Sequence, residues 1–137
     1  MRLDTLCDVR WTYDVMESFD PADRQEGMLF GQGTAAFRGR LAGTATWANN
    51  PRLRGEHAFP DARGVLRPDS GGLVMFSVSG VASLTDGRAV HVLRFTTREE
   101  SLLWLNTAVA VGEGSVDVSA GVLEVRYYEC VGEPLGT

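Results

Sequence analysis

The sequence predicts an all-β fold: one antiparallel β-barrel of about eight strands in a single domain spanning residues 1–137. Three observations carry this. Apolar and polar residues alternate with period two through successive segments. Turn chemistry recurs roughly every 8–15 residues. No stretch has the 3.6-residue apolar repeat of an ordinary amphipathic helix, so at most one short helical turn is expected. A barrel of about eight strands leaves room for one small ligand, and closure removes exposed strand edges.

Taken in order, Leu3–Tyr13 alternates cleanly, with Leu3, Thr5, Cys7, Val9, Trp11 and Tyr13 on one face. Glu17–Gly27 is polar, holds Pro and Gly, and predicts a loop over the barrel mouth, with one helical turn after Asp20-Pro21. Met28–Gly39 is a second strand, in which Gly31 and Gly33 mark a bend or a close backbone approach. Leu41–Trp47 is a third, followed by a loop at Ala48–Arg54. Strands at His57–Arg67 and Leu73–Ser79 flank Pro68-Asp69-Ser70-Gly71-Gly72, in which Pro fixes φ and Gly tolerates positive φ. Asp86-Gly87 is a strong hairpin turn before Arg88–Thr97. Thr97, with Glu100 three residues on, has the pattern of a helix start, so Ser101–Trp104 is expected to form the short helical turn. Leu105–Val111 reads as strand, Gly112–Ala120 as turn-rich, and Gly121–Val131 as the closing strand.

Composition narrows the function. Hydrophobic content of 44% and charged content of 23% are those of a globular chain. No run of about 18 apolar residues is present, and the first residues lack the apolar core of a signal peptide, so a cytoplasmic location without membrane insertion is expected. The net charge of −5 disfavours nucleic acid, which needs a basic patch. All 13 basic residues are Arg. The lack of Lys excludes Schiff-base chemistry and, with the lack of Ile, points to a GC-rich, bacterial genome. Cys7 and Cys130 are expected to be free, buried, small hydrophobes.

The strand from His57 to Arg67 carries the most chemistry. One face holds His57, Phe59, Asp61, Arg63, Val65 and Arg67; the other holds Ala58, Pro60, Ala62, Gly64 and Leu66. Asp61 and Arg63 lie about 6.6 Å apart along the strand. Facing outward they form a solvated pair worth roughly 0–1 kcal/mol. Facing inward with His57 they form a polar floor for a ligand.

Several segments resemble the domain of unknown function 3237 family. Trp104-Leu105-Asn106, Val111-Gly112-Glu113-Gly114 and Tyr127-Tyr128-Glu129-Cys130-Val131 look like its closing pattern. Leu41-Ala42-Gly43 with Trp47, Asp61-Ala62-Arg63 and Asp69-Ser70-Gly71-Gly72 fall in its order, from about Gly31 onward. Where the family pattern leads to an expectation of Gly-Gly and an acidic residue before Trp47, this chain has Thr44-Ala45-Thr46. The resemblance implies a small barrel of the allene oxide cyclase and lipocalin kind, a shape shared by bacterial polyketide-tailoring enzymes that cyclise a bound chain. It favours the inward reading of Asp61 and Arg63.

Other signatures are missing. His57 and His91 lack zinc-like spacing to other ligands, no phosphate-cradling loop precedes a helix, and there is no nucleophile elbow. No metal or cofactor is therefore expected. General acid–base chemistry and shape remain. His91 is either a satisfied core histidine or a lumen proton carrier tuned near neutral pH. Glu129, beside Tyr127, is either a buried neutral carboxyl or the partner of an Arg at the rim. The candidate catalytic residues are Asp61, Arg63, His91 and Glu129; the candidate substrate-binding residues are Trp47, His57, Phe59, Phe76, Phe95 and Tyr127.

The leading expectation is a cofactor-independent cyclase or isomerase for a small hydrophobic, oxygenated metabolite, such as a polyketide chain that closes to a spiroacetal. A non-catalytic carrier or sensor with the same lumen, and a filled structural barrel acting through an oligomer face, are the alternatives. A homodimer is compatible with all three.

Overall fold

A computed structural model describes residues 1–21 and 26–136. Its strands are β1 (Arg2–Phe19), β2 (Gly27–Gly39), β3 (Gly43–Asn49), β4 (Arg52–Arg54), β5 (His57–Phe59), β6 (Ala62–Pro68), β7 (Val74–Ser83), β8 (Arg88–Thr97), β9 (Val109–Asp117) and β10 (Val122–Val131). A 3₁₀ helix, Glu100–Thr107, joins β8 to β9.

Antiparallel pairing runs β1-β2-β3-β6-β7-β8-β9-β10 and back to β1, which closes an eight-strand barrel. The short β4–β5 hairpin sits on one rim, where β4 pairs with β2 and β5 with β7. Inward and outward residues alternate as the sequence pattern requires: in β2, Gly31, Gly33, Ala35 and Phe37 are buried and the residues between them are not.

Several boundaries differ from expectation. β1 continues to Phe19 because the expected loop at Glu17–Gly27 begins as strand, pairing Ser18 with Leu29 and Phe19 with Met28. The helical turn expected after Asp20-Pro21 falls largely on residues 22–25, outside the described residues. A bulge between Thr5 and Cys7 shifts the parity of β1. Leu6 and Cys7 are therefore both buried, while Leu3 and Thr5 leave the inner face. The expected Ala48–Arg54 loop contains β4. Leu105 belongs to the helix, and strand β9 extends through the expected turn-rich stretch to Asp117. The helix cap is Glu99, without a side-chain cap; Thr97 Oγ1 instead accepts from the Glu99 N–H and donates to the Leu73 carbonyl.

The two ends of the barrel differ. At the helix end, Leu6, Leu41, Leu66, Val74 and Leu105 are fully or almost fully buried and plug the barrel. Burial of each such side chain contributes about 1.5–3 kcal/mol. Asn106 locks the helix in place, accepting from the Thr97 N–H and donating to the Thr97 carbonyl. Arg40 lies 4.8 Å over the Trp104 ring. Mid-barrel, Trp11 packs against Phe37, Trp47 and Phe76 with ring centroids 5.6–6.0 Å apart. Above this layer the packing opens. Among the described residues no helix is long and apolar enough to cross a membrane.

Candidate functional site

At the end opposite the helix, the barrel holds a cavity of about 140 Å³. Its floor and walls include Trp11, Trp47, Leu53, Ala62, Val78 and Leu123. No Asp, Glu, Arg or Cys lines it among the described residues. Three side chains bring polar atoms to it: Tyr13, Asn49 and His91.

Tyr13 and Asn49 belong to neighbouring walls. The Asp61 N–H donates to Asn49 Oδ1 at 3.0 Å, which fixes the amide orientation. Asn49 Nδ2 then donates to the Tyr13 hydroxyl oxygen at 3.3 Å. The Tyr13 hydrogen is thereby left for the lumen. Tyr13 stands edge-on to Trp47, with ring centroids 4.7 Å apart. A Cβ at Gly31 would strike the Tyr13 ring, and one at Gly33 would strike first the Thr12 carbonyl oxygen of β1 and then the Trp47 ring. The expected close backbone approach is found at Gly33, against Thr12; at Gly31 the close neighbour is the Tyr13 ring.

His91 sits on β8 at the bottom of the cavity and is 4% exposed. Its Nδ1 is 2.9 Å from the hydroxyl of Tyr127, which is 0% exposed. The Tyr127 hydroxyl has no other hydrogen-bond partner among the described residues. The nearby Trp11 indole N–H, which is itself unpartnered, can only donate. The arrangement that gives the Tyr127 hydrogen an acceptor among the described residues has it donate to Nδ1, with the ring proton on Nε2. Nε2 has no hydrogen-bond partner among the described residues, and His91 lines the cavity. Burial pushes His91 down to about 4, so the ring is neutral at pH 7. Tuning near neutrality, expected of a proton carrier, is not what this environment produces. Burial also raises Tyr13 and, strongly, Tyr127, so both remain phenols.

The structure divides the sequence candidates. Trp47 and His91 line the cavity, and Tyr127 stands directly behind His91. Phe76 and Phe95 are buried in the packed layer below, where they pair across β7 and β8. His57, Asp61 and Arg63 point outward and are exposed, which corrects the inward reading. The small face, Ala58 and Ala62, turns in and lines the cavity, which leaves the charged side chains of the other face in solvent. Phe59 is half-buried beneath the Arg54 guanidinium, 4.8 Å from its ring. Glu129 bonds to Arg40 at 3.0 Å near the plugged end, away from the cavity; of its two readings, the Arg pair is the one found. Cys7 and Cys130 are free. Sequence reasoning does not single out Tyr13 and Asn49 as site residues. Tyr13 is legible as the inward neighbour of Trp11. Asn49 continues the inward series Gly43, Ala45, Trp47, but Asn49-Asn50-Pro51 reads as a turn.

The barrel matches known structures in fold. A protein of unknown function from Clostridium acetobutylicum superposes with a TM-score of 0.84 at 13% identity, covering 96% of this chain and 100% of its own. A β-barrel-like protein from Acinetobacter baumannii does so at 0.76 and 17%, covering 93% and 94%. An enzyme from Penicillium herquei does so at 0.72 and 20%, covering 93% and 92%. No curated protein matches the sequence. The family model described as protein of unknown function (DUF3237) matches residues 24–130, most of the barrel, and the chain belongs to that family.

Proposed function

We propose that the lumen takes up a hydrophobic, oxygen-bearing small molecule in the cytoplasm and promotes its ring closure or isomerisation without a cofactor. The observation that carries this reading is a dead-ended apolar cavity with His91, backed by the Tyr127 hydroxyl, at its base. Description of a fold relative as an enzyme is in keeping with it.

In this reading the walls fold a flexible chain so that its hydroxyl lies against its own carbonyl, and positioning supplies several kcal/mol. His91 Nε2–H polarises the carbonyl and stabilises charge growing on its oxygen. The substrate hydroxyl oxygen forms the new C–O bond while the carbonyl π pair moves to oxygen. Tyr13 gives its proton to that oxygen and takes back the hydroxyl proton, so the protein ends unchanged. Trp11 and Trp47 pack against the hydrocarbon.

One observation favours a carrier instead: the described lining has no carboxylate, and its one imidazole is a weak base. A 5-hydroxy ketone that closes to a cyclic hemiketal, the single addition written above, separates the two. Ketone loss would be followed by carbon NMR with the wild-type chain and with His91→Phe. Faster closure with wild type alone supports the enzyme. Saturable uptake with an unchanged rate leaves the carrier, and no uptake sinks both.

A further inference from the structure

The polar groups of the cavity constrain its ligand beyond size and hydrophobicity. Two relays run through the cavity walls, one through β1 and β3 and the other through β8 and β10. In one, the Asp61 N–H bonds to Asn49 Oδ1 and Asn49 Nδ2 bonds to the Tyr13 oxygen. In the other, the Tyr127 hydroxyl bonds to His91 Nδ1. Each relay satisfies the acceptor side of its last member and leaves a hydrogen over. No side-chain cation or carboxylate faces either hydrogen from the cavity lining among the described residues.

We infer that the ligand's polar end is an uncharged hydrogen-bond acceptor, a ketone, aldehyde or ester carbonyl, held by the Nε2–H of His91 and the O–H of Tyr13. The inference rests on the lumen reading above and specifies its substrate class. A carboxylate would be stripped of water without a cation to meet it, and an ammonium group would face two donors. An apolar cavity near 150 Å³ accepts one benzene ring, so a cavity of about 140 Å³ fits a ring or short chain bearing the carbonyl.

Three probes with one ring test this: acetophenone, ethylbenzene and benzoate, titrated calorimetrically into the full chain. Acetophenone is expected to bind about tenfold more tightly than ethylbenzene, and benzoate not to bind. The bound ketone's infrared carbonyl stretch should shift to lower frequency. Tyr13→Phe should weaken acetophenone about fivefold, leave ethylbenzene unchanged and reverse part of the shift. His91→Phe should do likewise; because it also strands the buried Tyr127 hydroxyl, Tyr13→Phe and the infrared shift keep the test decisive if that variant does not fold. Equal binding of ethylbenzene and acetophenone with no carbonyl shift overturns the inference and leaves the apolar lumen standing. Preferred binding of benzoate also overturns it. Failure of all three to bind overturns the lumen reading with it.

Discussion

His91 Nδ1 and the Tyr127 hydroxyl lie 2.9 Å apart at the base of the cavity, and this contact decides what the cavity sees. Because Tyr127 has no other acceptor among the described residues, it favours the imidazole as the Nε2–H tautomer. Nitrogen-detected NMR should therefore show a neutral His91 protonated on Nε2 at pH 7. Tyr127→Phe should release this preference and cost about 1–3 kcal/mol, because a buried ring nitrogen loses its partner. A Nδ1–H tautomer in the wild type would contradict the relay.

His91 also makes stability depend on pH. Burial lowers it from 6.5 to about 4 in the folded state, whereas the unfolded chain keeps the ordinary value. Between these values the unfolded state binds more protons, so stability falls as pH falls from about 6.5 to 4. Above that window the contribution is fully present. The loss across it is about 3 kcal/mol. Denaturant unfolding at pH 7 and pH 4.5 checks this against His91→Gln, which should lack that component of the slope.

The barrel is legible because period two survives in nearly every segment, and the inward parity of β3 and β8 places Trp47 and His91 correctly. What fails is local. The Thr5/Cys7 bulge inserts one residue into β1, and nothing in Leu3–Cys7 announces it. The face of His57–Arg67 is ambiguous because both faces are chemically reasonable. Only the assembled barrel, in which Ala58 and Ala62 line the cavity and His57, Asp61 and Arg63 reach solvent, resolves it. Volume shared across strands is not written in any single strand.

The same shared volume makes particular glycines irreplaceable. At Gly112 a Cβ would meet Tyr127 Cδ1 and Val125 Cγ1, and at Gly31 it would meet the Tyr13 ring. Gly112→Ala and Gly31→Ala should each cost about 1–3 kcal/mol by overpacking, measured by thermal or denaturant unfolding. Gly112→Ala should also disturb the His91 tautomer, since it pushes on Tyr127. Gly136→Ala, with nothing within 4 Å, should be silent. Equal effects at all three sites would mean the rings do not rest on these glycines.

Asp61 contributes its backbone and not its carboxylate. Its N–H holds Asn49 Oδ1 and its carbonyl accepts from the Asn50 N–H, while its side chain faces solvent. Asp61→Asn should therefore stay within about 0.5 kcal/mol of wild type and leave ligand affinity unchanged, as should Arg63→Ala. Asn49→Ala behaves oppositely. It removes the acceptor of the Asp61 N–H and the donor that fixes Tyr13, costing about 1–3 kcal/mol. With Tyr13 no longer oriented, acetophenone affinity should drop by about the same factor as in Tyr13→Phe. Calorimetric titration of the three variants separates the possibilities. A large loss in Asp61→Asn with none in Asn49→Ala would move the chemistry back to the outer face of β6.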